Sequence, residues 1–497
     1  MTISRFQVRH PIFQVTHPNT VPCKMSDWNR VRETFRQVWG YEDFRYPQGE
    51  IVRAILQQRD ALIVLPTGGG KSICFQLPAL LQNGVTLVVS PLVALMENQV
   101  QELHDRNLPA ATLHSERSRS EKKAVLNALE RQQLRLLYLS PETLLSSKVW
   151  QILTQPHLVV NGMMLDEAHC LVQWGDTFRP AYRRLGAVRS QLLKNRPPKT
   201  RIPIAAFTAT ANPAAQQTIR DVLQLRSPQQ FLQNPYRPNL SLHVRHTCTP
   251  HNRKQQLLKF LKQHPQEAGI VYARTRRDCE TLAYGLQQQG FATAAYHAGL
   301  GASDRRQIEA QWLNGTLQFV VSTSAFGMGV NKPNVRWVFH YQVPTLLSEY
   351  VQEVGRAGRD GNPAIAVSIV SEPTGLLDPS DKKRQQFFQN RENAQIRRAK
   401  QLAKQLPRSG HLDTVKREYK DAEIALSVLH SRGQLMWRDP FHYKILDSSP
   451  NSNFNTDAVR QMKQYLQTRR CRWVFLLEAF GFGEEAQPCG TCDRCQR

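Results

Sequence analysis

The chain has 497 residues, a formal charge of +25 and a sequence pI of about 10, an excess that in a large chain points to a polyanion partner, nucleic acid above all. Length alone predicts about three domains, no uninterrupted apolar run reaches the roughly 18 residues of a membrane span, and the N-terminus lacks the layout of a secretory signal. Nine cysteines, four of them in the last 27 residues, argue against a disulfide framework and for a reducing compartment with one metal site.

Residues 1–26 carry Arg5, Arg9 and Lys24 with no acidic residue, and read as an extension. Trp39-Gly-Tyr41-Glu-Asp-Phe44-Arg45-Tyr-Pro-Gln48 follows. Gln48 offers both a donor and an acceptor, which suits an adenine edge, and Tyr41 could stack on the base. Then Ala61-Leu-Ile-Val-Leu65 reads as a buried strand, and Leu65-Pro-Thr67-Gly68-Gly69-Gly70-Lys71-Ser72 opens a helix. Strand, glycine loop, lysine, hydroxyl and helix make a phosphate-binding P-loop. Its glycines let backbone N–H groups curl around phosphate, the helix N-terminus adds positive potential, Lys71 can pair with the β/γ-phosphates and Ser72 can ligate Mg²⁺. Leu65 stands where the full consensus has glycine, so the motif taken alone leaves a glycine-rich turn open.

Val85–Val89 and Leu134–Leu139 are further buried strands, each ending at a Ser-Pro corner (Ser90-Pro91 and Ser140-Pro141). Parallel sheets place their ligands at such strand C-termini. Met163-Met-Leu-Asp166-Glu167 ends a strand in two carboxylates, and Ile204–Ala211 closes the series. Downstream of a P-loop, one carboxylate suits Mg²⁺ and the next suits the attacking water. The pattern predicts a doubly wound α/β domain over 27–226.

A second α/β series over 227–373 has no P-loop of its own. It carries Gln352-x-x-Gly355-Arg356-x-x-Arg359, whose guanidinium groups could reach a γ-phosphate across a cleft. Residues 381–438 hold 14 Lys/Arg against 6 Asp/Glu. Helices over 394–406 and 420–431, followed by two short strands, fit a winged-helix module over 380–450. One long helix is expected over 457–480, in a C-terminal module spanning 456–497. Cys471-x₁₇-Cys489-x₂-Cys492-x₂-Cys495 offers four thiolates for a closed structural zinc site; an iron–sulfur cluster uses similar spacing.

These motifs, with Gly40-Tyr41-x-x-Phe44-Arg45-x-x-Gln48, Gln173-Trp174-Gly175-x-x-Phe178-Arg179-Pro180 and Ala325-Phe-Gly-Met-Gly-Val-Asn-Lys332-Pro333, resemble the RecQ family of superfamily-2 DNA helicases. The resemblance covers roughly residues 35–370 and the terminal cysteines. It implies two RecA-like lobes, ATP and Mg²⁺ between them, structural Zn²⁺ on Cys471, Cys489, Cys492 and Cys495, and 3′→5′ unwinding of DNA in repair or recombination. By motif, Tyr41, Arg45, Gln48, Thr67, Gly68, Gly69, Gly70, Lys71 and Ser72 would bind ATP. Ser72 and Asp166 would hold Mg²⁺, and Lys71, Glu167, Arg356 and Arg359 would act in hydrolysis. Trp174, Phe178 and Arg179 would couple single-stranded DNA to hydrolysis, since an aromatic and a guanidinium stack on any base. The partners implied are single-stranded and duplex DNA with no membrane, in a bacterial cytosol, with a nuclear home left open.

Two departures stand out. Asp176-Thr177 replaces the family's His-Asp before Phe178, and the winged-helix segment precedes the cysteines where the family's usual order is the reverse. A DEAD-box-like RNA-dependent ATPase and an ATP-switched DNA-binding module are the alternative readings.

Overall fold

This computed structural model describes residues 28–172, 179–326, 332–372, 374–446 and 456–496. The expectations for residues 1–26, Trp174 and Phe178 lie outside them.

The first lobe opens with α1 (Trp28–Trp39) and α2 (Gln48–Leu56), then β1 (Ala61–Val64) and α3 (Lys71–Leu81). It continues through β2 (Val85–Val89), α4 (Val93–Asp105), β3 (Ala110–Leu113), α5 (Arg119–Glu130), β4 (Leu136–Leu139), α6 (Pro141–Leu144) and α7 (Ser147–Leu153). β5 (Val160–Leu165), α8 (Gly186–Leu193), β6 (Ile204–Thr208), α9 (Pro213–Leu223) and β7 (Gln229–Leu232) complete it. The strands form a parallel sheet in the order β3-β4-β2-β5-β6-β1-β7. β7 pairs with β1, so this sheet runs past residue 226, the boundary expected from sequence. Leu62 and Val64 enter one core while Ala61, Ile63 and Leu65 enter the other. That period-two split, with both faces covered, is why the strands read as continuous apolar runs.

The second lobe contains β8 (Leu240–Thr247), α10 (Pro250–Gln263), β9 (Gly269–Tyr272), α11 (Arg276–Gln287), β10 (Thr293–Tyr296) and α12 (Ala302–Leu313). β11 (Phe319–Ser322), β12 (Trp337–His340), α13 (Leu347–Val354) and β13 (Ala364–Ser371) follow. The parallel order is β10-β11-β9-β12-β13-β8. β8 escaped the sequence reading because its burial alternates, unlike the continuous runs of the central strands.

Next come α14 (Ser380–Ala403), β14 (Ser409–His411), α15 (Leu412–Glu418), α16 (Ala422–Ser431), β15 (Leu435–Trp437) and β16 (His442–Ile445). Helix, strand, two helices and a hairpin, with an antiparallel sheet ordered β14-β16-β15, is a winged-helix arrangement. Its first helix begins at Ser380, fourteen residues earlier than the sequence pattern indicated. The single helix expected over 457–480 is instead two, α17 (Thr456–Gln467) and α18 (Arg472–Ala479). Cys471 sits between them as the N-cap residue of α18, and its thiol meets the other three cysteines.

The C-terminal module is built into the second lobe. Trp473, Leu476, Phe480 and Cys492 share one core with Leu240, Ile270 and Tyr350. The Trp473 indole donates to the Leu240 carbonyl at 3.0 Å, and the Tyr465 hydroxyl donates to that of Tyr350 at 2.8 Å. The fully buried Arg472 pairs with Asp493 at 2.5 Å and donates to the Tyr465 carbonyl at 2.9 Å, so its charge is satisfied inside the module.

Candidate ATP cleft and thiolate cluster

The ends of three first-lobe strands, β1, β5 and β6, converge on one cleft. β1 runs into the P-loop, where Gly68 and Gly70 have φ of +85° and +69°. A Cβ at 70 would also lie 2.2 Å from the Gln48 amide nitrogen and displace that side chain. That amide is occupied by protein at both ends. Its nitrogen donates to the Gly69 carbonyl at 3.1 Å and its oxygen accepts from the Arg45 N–H at 3.0 Å. Gln48 thus ties the segment before α2 to the P-loop, while Tyr41 and Arg45 are exposed.

Lys71 starts α3 and donates to the Leu65 and Pro66 carbonyls at 3.1 and 3.4 Å, which folds its ammonium back over the loop. Burial lowers its pKa, against the opposing pull of Glu167 and Asp166. Ser72 follows in the first turn of α3, partly buried.

β5 delivers the two carboxylates. Asp166 is buried; it accepts from the Glu167 N–H at 3.0 Å and from Gln99 at 3.4 Å. Burial and then the Glu167 charge push its pKa up to about 6. Glu167 adopts a left-handed conformation, φ +51°, at the start of the 3₁₀ turn Ala168–Leu171. Burial acts against its charge, yet the bond from His169 and the charges of His169, Lys71 and Arg356 hold it down at about 2. His169 Nδ1 lies 3.2 Å from both Glu167 Oε2 and Thr208 Oγ1, and Thr208 in turn accepts from the Thr210 N–H at 3.2 Å. The motif over β6 therefore orients a histidine that orients a carboxylate.

The second lobe closes the cleft through the end of α13. The Gln352 amide donates to Glu167 Oε2 at 3.5 Å and meets His169 Nε2 at 3.3 Å. A neutral His169 donating from Nδ1 accepts there; a protonated one needs the amide turned over. Thr67 donates to the Gly355 carbonyl at 2.8 Å. Arg356 is buried and its charge acts on Glu167. Burial, then the neighbouring Arg356 and Arg237, lowers Arg359 to about 10. Arg237 donates to the Gly355 carbonyl at 3.1 Å and to that of Gly358, fixing the turn that carries both arginines.

The sequence-selected residues Gln48, Thr67–Ser72, Asp166, Glu167, Arg356 and Arg359 are thus brought to one cleft. Gln352, His169 and Arg237 also belong to it. The first two stood within quoted motifs, but their contacts cross between lobes and no spacing signals them. Arg237 lies in the connection between the lobes, outside any motif.

In the C-terminal module, Cys471, Cys489, Cys492 and Cys495 place their four sulfurs within 4.8 Å of one another. Neighbouring sulfurs lie 3.6 to 4.0 Å apart. The edge of a tetrahedron around a metal with bonds of about 2.3 Å is about 3.8 Å, so the spacing fits a tetrathiolate zinc site. Backbone N–H groups of Arg472 and Cys489 point at Cys492 and Cys471 sulfurs at 3.5 and 3.3 Å, as thiolate charge would want.

Residues 45–219 match the DEAD/DEAH box helicase family, 252–361 the helicase conserved C-terminal domain and 441–496 the RecQ zinc-binding family. A Synechocystis protein, "ATP-dependent DNA helicase RecQ", is 54% identical over 476 residues, which are 95% of this chain and 99% of that protein. The chain belongs to the RecQ family. The RecQ helicase of Pasteurella multocida is 39% identical over 335 residues, 67% of this chain and 51% of its own length. Among solved structures, the helicase Lhr of Mycobacterium smegmatis bound to single-stranded DNA and AMP-PNP covers 88% of this RecQ chain and 61% of its own. Its TM-score is 0.57 at 18% identity, a likeness of fold.

Proposed function

We propose that the chain is an ATP-dependent DNA helicase that hydrolyses ATP between its two lobes, moves 3′ to 5′ on single-stranded DNA and unwinds duplex in repair or recombination, in a bacterial cytosol. The observation that carries this reading is the pair of contacts across the cleft, Gln352 to Glu167–His169 and Thr67 to Gly355. A site assembled from both lobes ties each turnover to their relative position. The similarity to a DNA helicase at 54% identity favours DNA over the RNA-dependent alternative.

In this reading the P-loop N–H groups and Lys71 hold the phosphates. Ser72 and Asp166 are the residues to hold Mg²⁺, which when bound neutralises phosphate charge. Glu167, kept ionised by His169, orients and deprotonates the attacking water. Arg356 and Arg359 neutralise charge developing on the γ-phosphoryl oxygens. Tyr41, Arg45 and Gln48 serve the adenine; Trp174, Phe178 and Arg179 grip the single strand, and Arg179 pairs with Glu142 of α6 at 3.5 Å, beside the Ser140-Pro141 corner. Opening a base pair costs about 1.4 kcal/mol, well within one ATP. The four cysteines hold zinc in a structural role.

A forked duplex with a 3′ single-stranded tail, incubated with the zinc-loaded full chain and ATP, tests the reading. Strand displacement that requires ATP is expected; ATPase activity without displacement, or displacement only of RNA forks, would overturn it.

A further inference from the structure

The winged-helix module is seated on the first lobe with its usual nucleic-acid surfaces covered. In helix-turn-helix proteins the second helix enters the major groove. Here that helix, α16, lies between α14 and the 3₁₀ turn Pro180–Arg184 of the first lobe. Glu423 in its first turn pairs with Arg184 at 2.6 Å, both largely buried, and the fully buried Ser427 faces the Pro180 carbonyl at 3.5 Å. The turn between β15 and β16 is docked as well. Arg184 donates to the Pro440 carbonyl at 3.2 Å, and the Phe441 ring packs edge-on against Trp150 of α7 at 5.3 Å. Ala187 of α8 completes the module's core.

What this module holds is one step from the catalytic carboxylate. Pro180–Arg184 packs against the other 3₁₀ turn, Ala168–Leu171, which carries His169 and follows Glu167 directly. Tyr182 of this turn is buried in the first lobe's core together with Ala168, Cys170 and Leu171 of the other turn, and Arg183 is buried as well. The far end of α14 is fixed to the second lobe, where the buried Arg253 binds Asp378 at 3.2 Å and Asp381 at 2.8 Å. Ala399 of α14 lies in the module's core. A rigid helix therefore joins the second lobe to a body that grips the turn beside His169.

We propose that Glu423 and Arg184 are positioning residues for DNA-stimulated ATP hydrolysis: through their pair the winged-helix module fixes Pro180–Arg184 against Ala168–Leu171, and so the setting of His169 and Glu167. The proposal rests on the helicase reading above. It makes the module a brace on the ATP site, with α16 serving the first lobe and not a duplex groove.

The test uses single-stranded oligo-dT, which offers no duplex for a wing to read, at saturating concentration with the full zinc-loaded chain. Wild type must show stimulated ATPase on it; if it does not, the helicase reading fails and the brace is not what was tested. Given that stimulation, Glu423→Gln, an isosteric change that removes only the charge, lowers stimulated kcat by about ten-fold or more without moving the KM for ATP, since small misplacements of a catalytic group cost this much. Lys416→Ala, which removes the other partner of Glu423 at 2.8 Å, leaves kcat as in wild type. The double variant Glu423→Gln/Arg184→Gln falls no further than the worse single variant, as two halves of one contact require. A full kcat in Glu423→Gln with weakened binding of forked duplex, or additive losses in the double variant, would overturn the proposal.

Discussion

The Thr67 hydroxyl donates to the Gly355 carbonyl at 2.8 Å, joining the P-loop of one lobe to the helix end that presents Arg356 in the other. Gly355 can make this approach because it has no side chain. A Cβ there would lie 2.9 Å from the Thr67 hydroxyl and 2.9 Å from the Val351 carbonyl. Gly355→Ala therefore pushes the lobes apart at the point where the γ-phosphate is expected. The expected outcome is loss of most DNA-stimulated ATPase activity with nucleotide binding retained, because the P-loop is untouched. Turnover measured beside fluorescent-nucleotide affinity checks this; equal losses of both would contradict it.

Lys71 and Arg356 stand on opposite sides of that contact and predict different losses. Lys71→Ala removes the phosphate-holding ammonium and should abolish hydrolysis while leaving single-stranded DNA binding largely intact. Arg356→Ala should lower kcat by ~10³ or more, the scale measured for arginines that stabilise phosphoryl transfer, with little change in nucleotide affinity. Single-turnover hydrolysis separates the two. Weak nucleotide binding by Arg356→Ala would place that arginine outside the transition state.

The half of the cleft in the first lobe was legible because its signals are local: Leu65–Ser72 and Asp166–Glu167 each lie at a strand end. The arginines were legible as a motif, but their distance from Glu167 was not. The amide of Gln48 reads from sequence as an adenine partner; its bonds to the Arg45 N–H and the Gly69 carbonyl use one donor and one acceptor site of that amide, a bridge visible only once α2 packs on α3. The break at Cys471 was hidden because the sequence continues to read as helix; the requirement that four thiols converge overrides that local preference. The seating of α16 on the first lobe was out of reach, since Glu423 and Arg184 are 239 positions apart.

Zinc removal should be felt in the second lobe. Cys492 is fully buried and shares a core with Leu240 and Tyr350, so the thiolate cluster is continuous with the packing of β8 and α13. Cys492→Ser leaves three thiolates and a buried hydroxyl. We expect lower zinc content, a lower melting temperature and weaker DNA binding, with ATP affinity changed least, because the P-loop lies in the other lobe. Unchanged zinc content and melting temperature in this variant would sink the tetrathiolate assignment.

Acid should act on the second lobe through the buried His340 and Glu353 and the half-buried Glu349, with opposing signs. His340 contacts Glu353 at 3.0 Å and Ser368 at 3.0 Å, and burial lowers its pKa although Glu353 pulls the other way. As pH falls through 6.5 the unfolded histidine takes a proton that the folded one refuses, so His340 favours unfolding below 6.5. Glu349 has the opposite effect. Burial pushes it up to about 7, against the pull of Arg274. The folded state binds its proton first, so Glu349 favours the fold as pH drops from 7 toward 4.5. Glu353 acts lower still: burial opposes its charge, but Arg274 at 2.6 Å and His340 hold it at about 2, so its contribution is complete above 4.5 and is lost only as pH falls from there toward 2. Between pH 7 and 5 the first two groups act in opposite directions in wild type. His340→Gln should then lose less melting temperature on acidification than wild type, and Glu349→Gln should lose more. Melting curves at pH 7 and pH 5 for the three proteins decide it, and shifts of the same sign in both variants would show that these groups do not govern the acid response.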